Sequence, residues 1–272
     1  MSYKEVLGQH AVAISTSESP DMLTLGMSDE HLKDAMAEIA RHLLALGARL
    51  IYGGDLRSNG FSELLFELVA RHRRDADADD LRVGVINYLA WPVHIQMAVT
   101  DIEQAHSDLI GTAELVCLGL DGSRQSLDAR RQLPQQQPTE AEWCGGLTAM
   151  RRAMLGETQA RVVLGGRVEQ YKGVMPGIAE ESLLSLQAHQ PLFVMGGFGG
   201  CARDIAEAMH LVEPWTTPRL GWPGHDAFGA FTAADLNNGL TLEENATVAR
   251  TPHVDQAITL ILRGLMSVGA PG

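Results

Sequence analysis

Three apolar runs in this chain end in paired glycines. Ile51-Tyr52 leads into Gly53-Gly54-Asp55, Val163-Leu164 into Gly165-Gly166-Arg167, and Val194-Met195 into Gly196-Gly197-Phe198-Gly199-Gly200. A glycine after a strand permits positive φ and lets a bulky anion approach backbone N–H groups. The third turn opens a helical pattern over Ala202–Leu211, and a helix N-terminus attracts anions. The chemistry such turns suit is phosphate binding, against the alternative that each is only a tight strand-to-helix connection. Neither G-x-G-x-x-G nor the Walker A spacing is present, and the first apolar run ends in Ser15-Thr16-Ser17 rather than glycine.

The segment 165–181 adds charge to the glycines. Arg167 and Lys172 follow the strand in a loop containing Gly173; Pro176-Gly177 opens the next helix, with Glu180 and Glu181 in its first turn. A guanidinium suits the bidentate grip of a diphosphate, and a carboxylate suits the paired hydroxyls of a ribose. The competing reading makes the two glutamates a first turn matched to the helix dipole and Arg167 a solvated side chain. Trp215, Trp222 and Phe228 lie in a Pro/Gly-rich stretch where aromatics either cover a nucleobase or pin a loop to the core. The ten histidines show no metal-ligand spacing, and Ser15 and Ser17 have no adjacent base. No cofactor or metal is expected.

The elements that must position these residues alternate between strand and helix. Strands are predicted at His10–Ser15, Ala48–Tyr52, Arg82–Leu89, Glu114–Leu118, Arg161–Leu164 and Leu192–Met195. Helices are predicted after Ser28 to about Leu46, from Ser62 to Arg73, over Val93–Leu109, and from the Thr139/Glu142 capping box to about Leu155. A last helix runs from Thr251-Pro252 through Met266. Asp75–Asp80 reads as a solvated acidic loop after the short basic run Arg71–Arg74, Asp121–Pro138 as a flexible polar loop, and Pro214–Gly239 has no clear period. Alternating strands and helices predict an α/β fold, Rossmann-like and doubly wound, with a mainly parallel sheet covered on both faces and a partly irregular C-terminal extension. In an open sheet of this kind the strand C-termini form the ligand crevice, so all three glycine turns would share one edge.

Composition sets the class of partner. The chain has 272 residues, 21 Lys+Arg against 34 Asp+Glu and a formal net charge of −13, an acidic balance that argues against nucleic acid as a partner. Three widely spaced cysteines, Cys117, Cys144 and Cys201, form neither a disulfide framework nor a zinc pattern. With no stretch long enough to span a membrane and no signal-peptide core in Met1–Ser15, the expectation is a cytoplasmic protein without a membrane partner. No composition break divides the chain, so residues 1–272 are expected to form one nucleotide-binding domain, with a core at about 8–212 and a C-terminal extension at about 213–272.

The ordered set of motifs resembles the SLOG superfamily, and most closely its prokaryotic TIR-associated branch, SLOG cluster 2. The pieces are the Ser/Thr run from Ile14, Leu25-Gly26, LIYGGDLRSNGF at 50–61, GGRVEQYKGVMPGIAEES at 165–182 and FVMGGFGG at 193–200. The resemblance spans nearly the first 200 residues and implies a Rossmannoid ligand sensor for ADP-ribose, a cyclic ADP-ribose isomer or an NAD-related molecule. It also implies a role in prokaryotic conflict or antiphage signalling, as a homo-oligomer with a TIR or other effector as partner. The ligand-binding residues it implies are Ser15, Gly53, Gly54, Asp55, Gly165, Gly166, Arg167, Lys172, Gly173, Pro176, Gly177, Glu180, Glu181, Gly196, Gly197, Phe198, Gly199 and Gly200. The related LOG enzymes cleave the N-glycosidic bond of nucleoside monophosphates with PGGxGTxxE. Here the corresponding stretch is PGIAEE, which keeps the Pro-Gly and a glutamate but lacks the phosphate loop. Hydrolysis, with Glu180 or Glu181 as the catalytic carboxylate, is the alternative activity.

Overall fold

The computed structural model describes residues 5–8, 10–58, 60–75, 83–214 and 221–268. Trp215, the acidic tract beyond Asp75, Arg82 and the side chains of 72–75 lie outside the described residues. The strands are β1 (Ala11–Ser17), β2 (Arg49–Gly53), β3 (Val85–Leu89), β4 (Ala113–Leu118), β5 (Arg124–Gln125), β6 (Ala160–Gly165) and β7 (Leu192–Met195). They form one sheet in the order β5-β4-β3-β2-β1-β6-β7. Every neighbouring pair is parallel except β4 with β5.

Strand order reverses beside β1, so the β1–β6 junction is the switch point where an open α/β sheet leaves a crevice. In-register pairing runs from Val12 with Ala160 to Ser17 with Gly165, which brings the Ser/Thr end of β1 and the first glycine of β6 side by side.

Alternate strand residues face opposite layers, as a period of two requires. Val12, Ile14, Leu50, Val162 and Leu164 pack with Leu32, Met36, Ile39 and Leu43 of α1 (Asp29–Ala45), Leu65 and Val69 of α2 (Phe61–Asp75), and Ile258, Ile261 and Leu265 of α10 (Val254–Val268). Ala11, Ala13, Ile51 and Tyr88 meet Met150 and Met154 of α6 (Glu140–Glu157) on the other face. There Val163 and Val194 also pack against α7 (Gly177–Gln187) and α8 (Gly200–Ala208). No described helix is long and apolar enough to cross a membrane.

Three stretches depart from the sequence pattern. The expected helix over Val93–Leu109 is divided into α3 (Trp91–His94) and α4 (Val99–Asp108). Arg130 donates to the carbonyls of His94, Ile95 and Met97 at 3.1, 3.3 and 2.9 Å, so a side chain holds groups that a continuous helix would bond internally. The polar stretch 121–138 is not one structureless loop: it carries the antiparallel edge strand β5 and a short helix, α5 (Leu127–Arg131). Within Pro214–Gly239 the described residues include two 3-10 turns, His225–Ala230 and Ala233–Leu236. A helix that periodicity did not suggest, α9 (Leu242–Arg250), follows. It starts on the Thr241/Glu244 capping box and ends at Thr251. Thr251 then accepts the His253 N–H at 3.1 Å on the way into α10.

Candidate functional site

A cavity of about 460 Å³ opens at the C-terminal ends of β1, β2 and β6, within the size range of small-molecule sites. Its floor is set by β1 and α7. Ser15 Oγ donates to Glu181, and Arg161 reaches both of them, its Nη1 lying 2.6 Å from Ser15 Oγ and 2.6 Å from Glu181 Oε2. Arg161 is only 1 % exposed. Burial pulls its pKa down, and the Glu181 charge opposes that shift and keeps the guanidinium paired. Its Nε also donates to Ser185 Oγ at 3.2 Å.

A second buried pair adjoins the first. Arg151 of α6 is bonded to Glu180, which also accepts the Thr148 hydroxyl. Arg151 Nε stands 3.7 Å from Glu181 Oε1, too far for a hydrogen bond, and has no other partner among the described residues. Thr16 Oγ1, also buried, is likewise without a partner there. Arg151 Nε and the Thr16 hydroxyl are thus buried without a partner among the described residues, while the Glu181 carboxylate lines the cavity in a charge-compensated setting that suits neutral hydroxyls.

The mouth carries exposed cations. Arg167 makes a two-pronged pair with Glu18 at 3.0 and 2.9 Å, and Arg57 pairs with Asp55 at 2.6 Å. Burial raises the Glu18 pKa, but the hydrogen bond and charge of Arg167 outweigh it, and the carboxyl is held below its usual range. Lys172 Nζ lies 4.2 Å from the centre of the Trp143 ring, with no carboxylate partner among the described residues. Tyr52 supports the wall between β1 and β2, its hydroxyl reaching the Thr16 carbonyl at 3.5 Å, and burial drives its pKa up.

Of the residues expected from sequence, Ser15, Gly53, Gly54, Asp55, Arg167, Lys172, Gly177 and Glu181 line this cavity. Gly173, Pro176 and Glu180 stand behind it: Pro176 precedes α7, Gly173 lies against Arg151, and Glu180 is the buried partner of Arg151. Gly165 and Gly166 form the turn beneath Arg167; Gly166 donates to the Ser17 carbonyl at 3.0 Å and accepts from the Cys201 N–H at 2.9 Å.

The turn 196–200 is not part of the lining. Phe198 is packed in the core, and a Cβ on Gly197 would sit 2.2 Å from the Thr251 carbonyl oxygen. The amide that opens α8, Gly200 N–H, donates to Asp21 Oδ2 at 2.6 Å. A carboxylate of the chain itself therefore stands where the sequence suggested a phosphate. The aromatic stretch takes its structural role: Trp222 and Phe228 are buried against α8, with Trp222 Nε1 donating to Asp204 at 3.1 Å.

Sequence reasoning passed over Arg151, Arg161, Arg57, Glu18, Trp143 and Gln96. One signal was available for Arg161, a charged residue in a strand otherwise apolar on both faces, where burial demands a partner. Arg57 and Glu18 stand beside quoted motifs. Nothing local marks Arg151, Trp143 or Gln96, which a helix and a loop distant in sequence bring to the cavity. Among the described residues no group of three or more His, Cys, Asp and Glu could hold a metal ion.

In comparison with known proteins, the family model described as SLOG cluster2 matches residues 6–244. No curated protein matches the chain.

Proposed function

Because the chain belongs to the SLOG cluster2 family, we propose that its cavity at the β1–β6 junction binds a nucleotide derivative: ADP-ribose, a cyclic ADP-ribose isomer or an NAD-related molecule. The observation that carries this reading is the division of one cavity of about 460 Å³ into a cationic mouth and a compensated polar floor. Arg167, Arg57 and Lys172 suit a diphosphate at the mouth. Glu18 already holds Arg167 in the two-pronged geometry that a phosphate would use. The Glu181 carboxylate, charge-compensated by Arg161 at the cavity floor, suits a donating ribose hydroxyl. A phosphate at that depth would face the Glu181 carboxylate and is disfavoured.

In this reading the protein is a cytoplasmic sensor in a prokaryotic conflict or antiphage system, one domain over residues 1–272 that reports binding through self-assembly or a TIR or other effector partner. Neither nucleic acid nor a membrane takes part. Isothermal titration with ADP-ribose, cyclic isomers, NAD and AMP is the test. Micromolar binding of one of them is the expected result, and absence of binding to all at millimolar concentration overturns the proposal.

A second reading, N-glycosidic hydrolysis of a nucleoside phosphate, is favoured by one observation: the Glu181 carboxylate lines the cavity while Glu180 does not. A carboxylate there could stabilise an oxocarbenium-like state. Free base released on incubation with nucleotides, and abolished in Glu181→Gln whose melting temperature shows that it folds, would establish it. Intact nucleotide recovered alongside measurable binding assigns the site to sensing.

A further inference from the structure

The far wall of the cavity holds a side chain whose hydrogen-bonding direction is fixed by its neighbours. Gln96 lines the cavity just beyond α3. Its Nε2 donates to the Pro92 carbonyl at 2.5 Å. A carbonyl only accepts, so the amide nitrogen must face Pro92 and the amide oxygen must face away. Gln96 Oε1 has no partner among the described residues. The group offered to a ligand here is therefore an acceptor and not a donor.

The backbone around Gln96 is fixed from both sides. Arg130 is fully buried and has no carboxylate partner among the described residues. Its Nη2 is spent on the carbonyls of His94, Ile95 and Met97, and its Nη1 on that of Leu133 at 2.9 Å. Gln135 Nε2 donates to the Gln96 carbonyl at 2.7 Å, and Gln136 N–H to that of Ile95 at 3.2 Å. Four consecutive carbonyls, 94–97, are held when the Gln96 one is included. Pro92 is in turn seated on α6, where a Cβ added to Gly146 would lie 2.5 Å from the Pro92 ring. Burying an unpaired guanidinium is costly, and here it fixes the position of one cavity-lining acceptor.

Val93, Leu147 and Met150 form an apolar cluster on this side of the cavity, and Trp143, whose ring faces the Lys172 ammonium at 4.2 Å, lies one turn before Leu147 on α6. A flat ring with an N–H on its edge is the complement of an apolar cluster beside one fixed acceptor. We infer that Gln96 Oε1 reads the exocyclic amine of an amino-substituted nucleobase, making this end of the cavity selective for an amino purine over the same ring without the amine. The inference rests on the proposed nucleotide ligand and adds which part of it is read, and by which atom.

The test compares ADP-ribose with its analogue carrying unsubstituted purine in place of adenine, by titration calorimetry on the full chain and on Gln96→Leu and Gln96→Asn. One hydrogen bond whose loss leaves a group unpaired corresponds to a preference of about tenfold for the amine. That preference is expected in the unchanged protein and should collapse to near unity in both variants, whose melting temperatures show whether they fold. Equal binding of the two ligands by the unchanged protein, or a preference that survives in folded variants, overturns the inference and leaves the nucleotide reading standing. Binding of neither ligand overturns the inference, and the nucleotide reading falls with it only when cyclic isomers, NAD and AMP also fail to bind. Should the variants not fold, the comparison of the two ligands on the unchanged protein decides.

Discussion

Arg161 of β6 and Glu181 of α7 meet at 2.6 Å directly beneath the cavity, with Ser15 of β1 bonded to both. Two consecutive elements and a strand 146 positions earlier thus share one buried charge pair. Removing one partner leaves an uncompensated charge in a medium that solvates it poorly, whereas removing both does not. Arg161→Met is expected to cost about 3–5 kcal/mol of unfolding free energy. The double variant with Glu181→Gln should recover much of that loss. Urea denaturation of the four proteins of this cycle is the measurement, and purely additive losses would contradict a coupled pair.

The Glu18–Arg167 pair should behave in the opposite way, since both side chains are close to half exposed. Glu18→Gln is expected to change stability by no more than about 1 kcal/mol. It should also strengthen ADP-ribose binding, because the ligand no longer competes with a carboxylate for Arg167. Arg167→Ala should weaken the same binding without lowering the melting temperature appreciably. Paired calorimetry and thermal melts read both effects.

A pH dependence follows from the same pair. The Glu18 pKa is lowered in the folded chain, by the Arg167 hydrogen bond and charge acting against burial. The unfolded chain therefore binds the proton more readily, and stability rises with pH through this window. The contribution is present above the ordinary glutamate pKa of about 4.3 and is lost as pH falls through the lower folded value. The acid limb of the stability curve should be shallower in Glu18→Gln, and an unchanged limb would refute the assignment.

Asp21 and Gly200 give a prediction about folding alone. Gly200 has φ +64° and a would-be Cβ 2.4 Å from the Gly166 carbonyl oxygen. Gly200→Ala should destabilise by more than the roughly 1–2 kcal/mol that a left-handed residue costs, because backbone must also move. Asp21→Ala, which removes the acceptor for the first amide of α8, should cost about 1 kcal/mol, as a lost helix cap does. Neither residue lines the cavity, so Asp21→Ala should retain ADP-ribose affinity to within a few fold.

Sequence by itself determined the sheet and its edge. Short continuous apolar runs ending in Gly or Ser, joined by helical patterns with caps such as Thr139/Glu142, point to strands buried on both faces and a crevice at their C-terminal ends. Ser15, Gly53-Gly54, Arg167 and Glu181 could be read as part of that edge because each directly follows, or ends, a strand or opens a helix. Tertiary structure decided which of them share a cavity. The turn 196–200 has the composition of an anion site, yet Asp21, nearly 180 positions earlier, takes its amide. Arg151 and Gln96 carry no local signature, and Arg161 shows only a charge in an apolar strand, because their roles come from partners on other elements. A charge or an amide acquires its meaning from what desolvates and faces it, and in a doubly wound sheet those neighbours are supplied by crossovers that no short window of sequence contains.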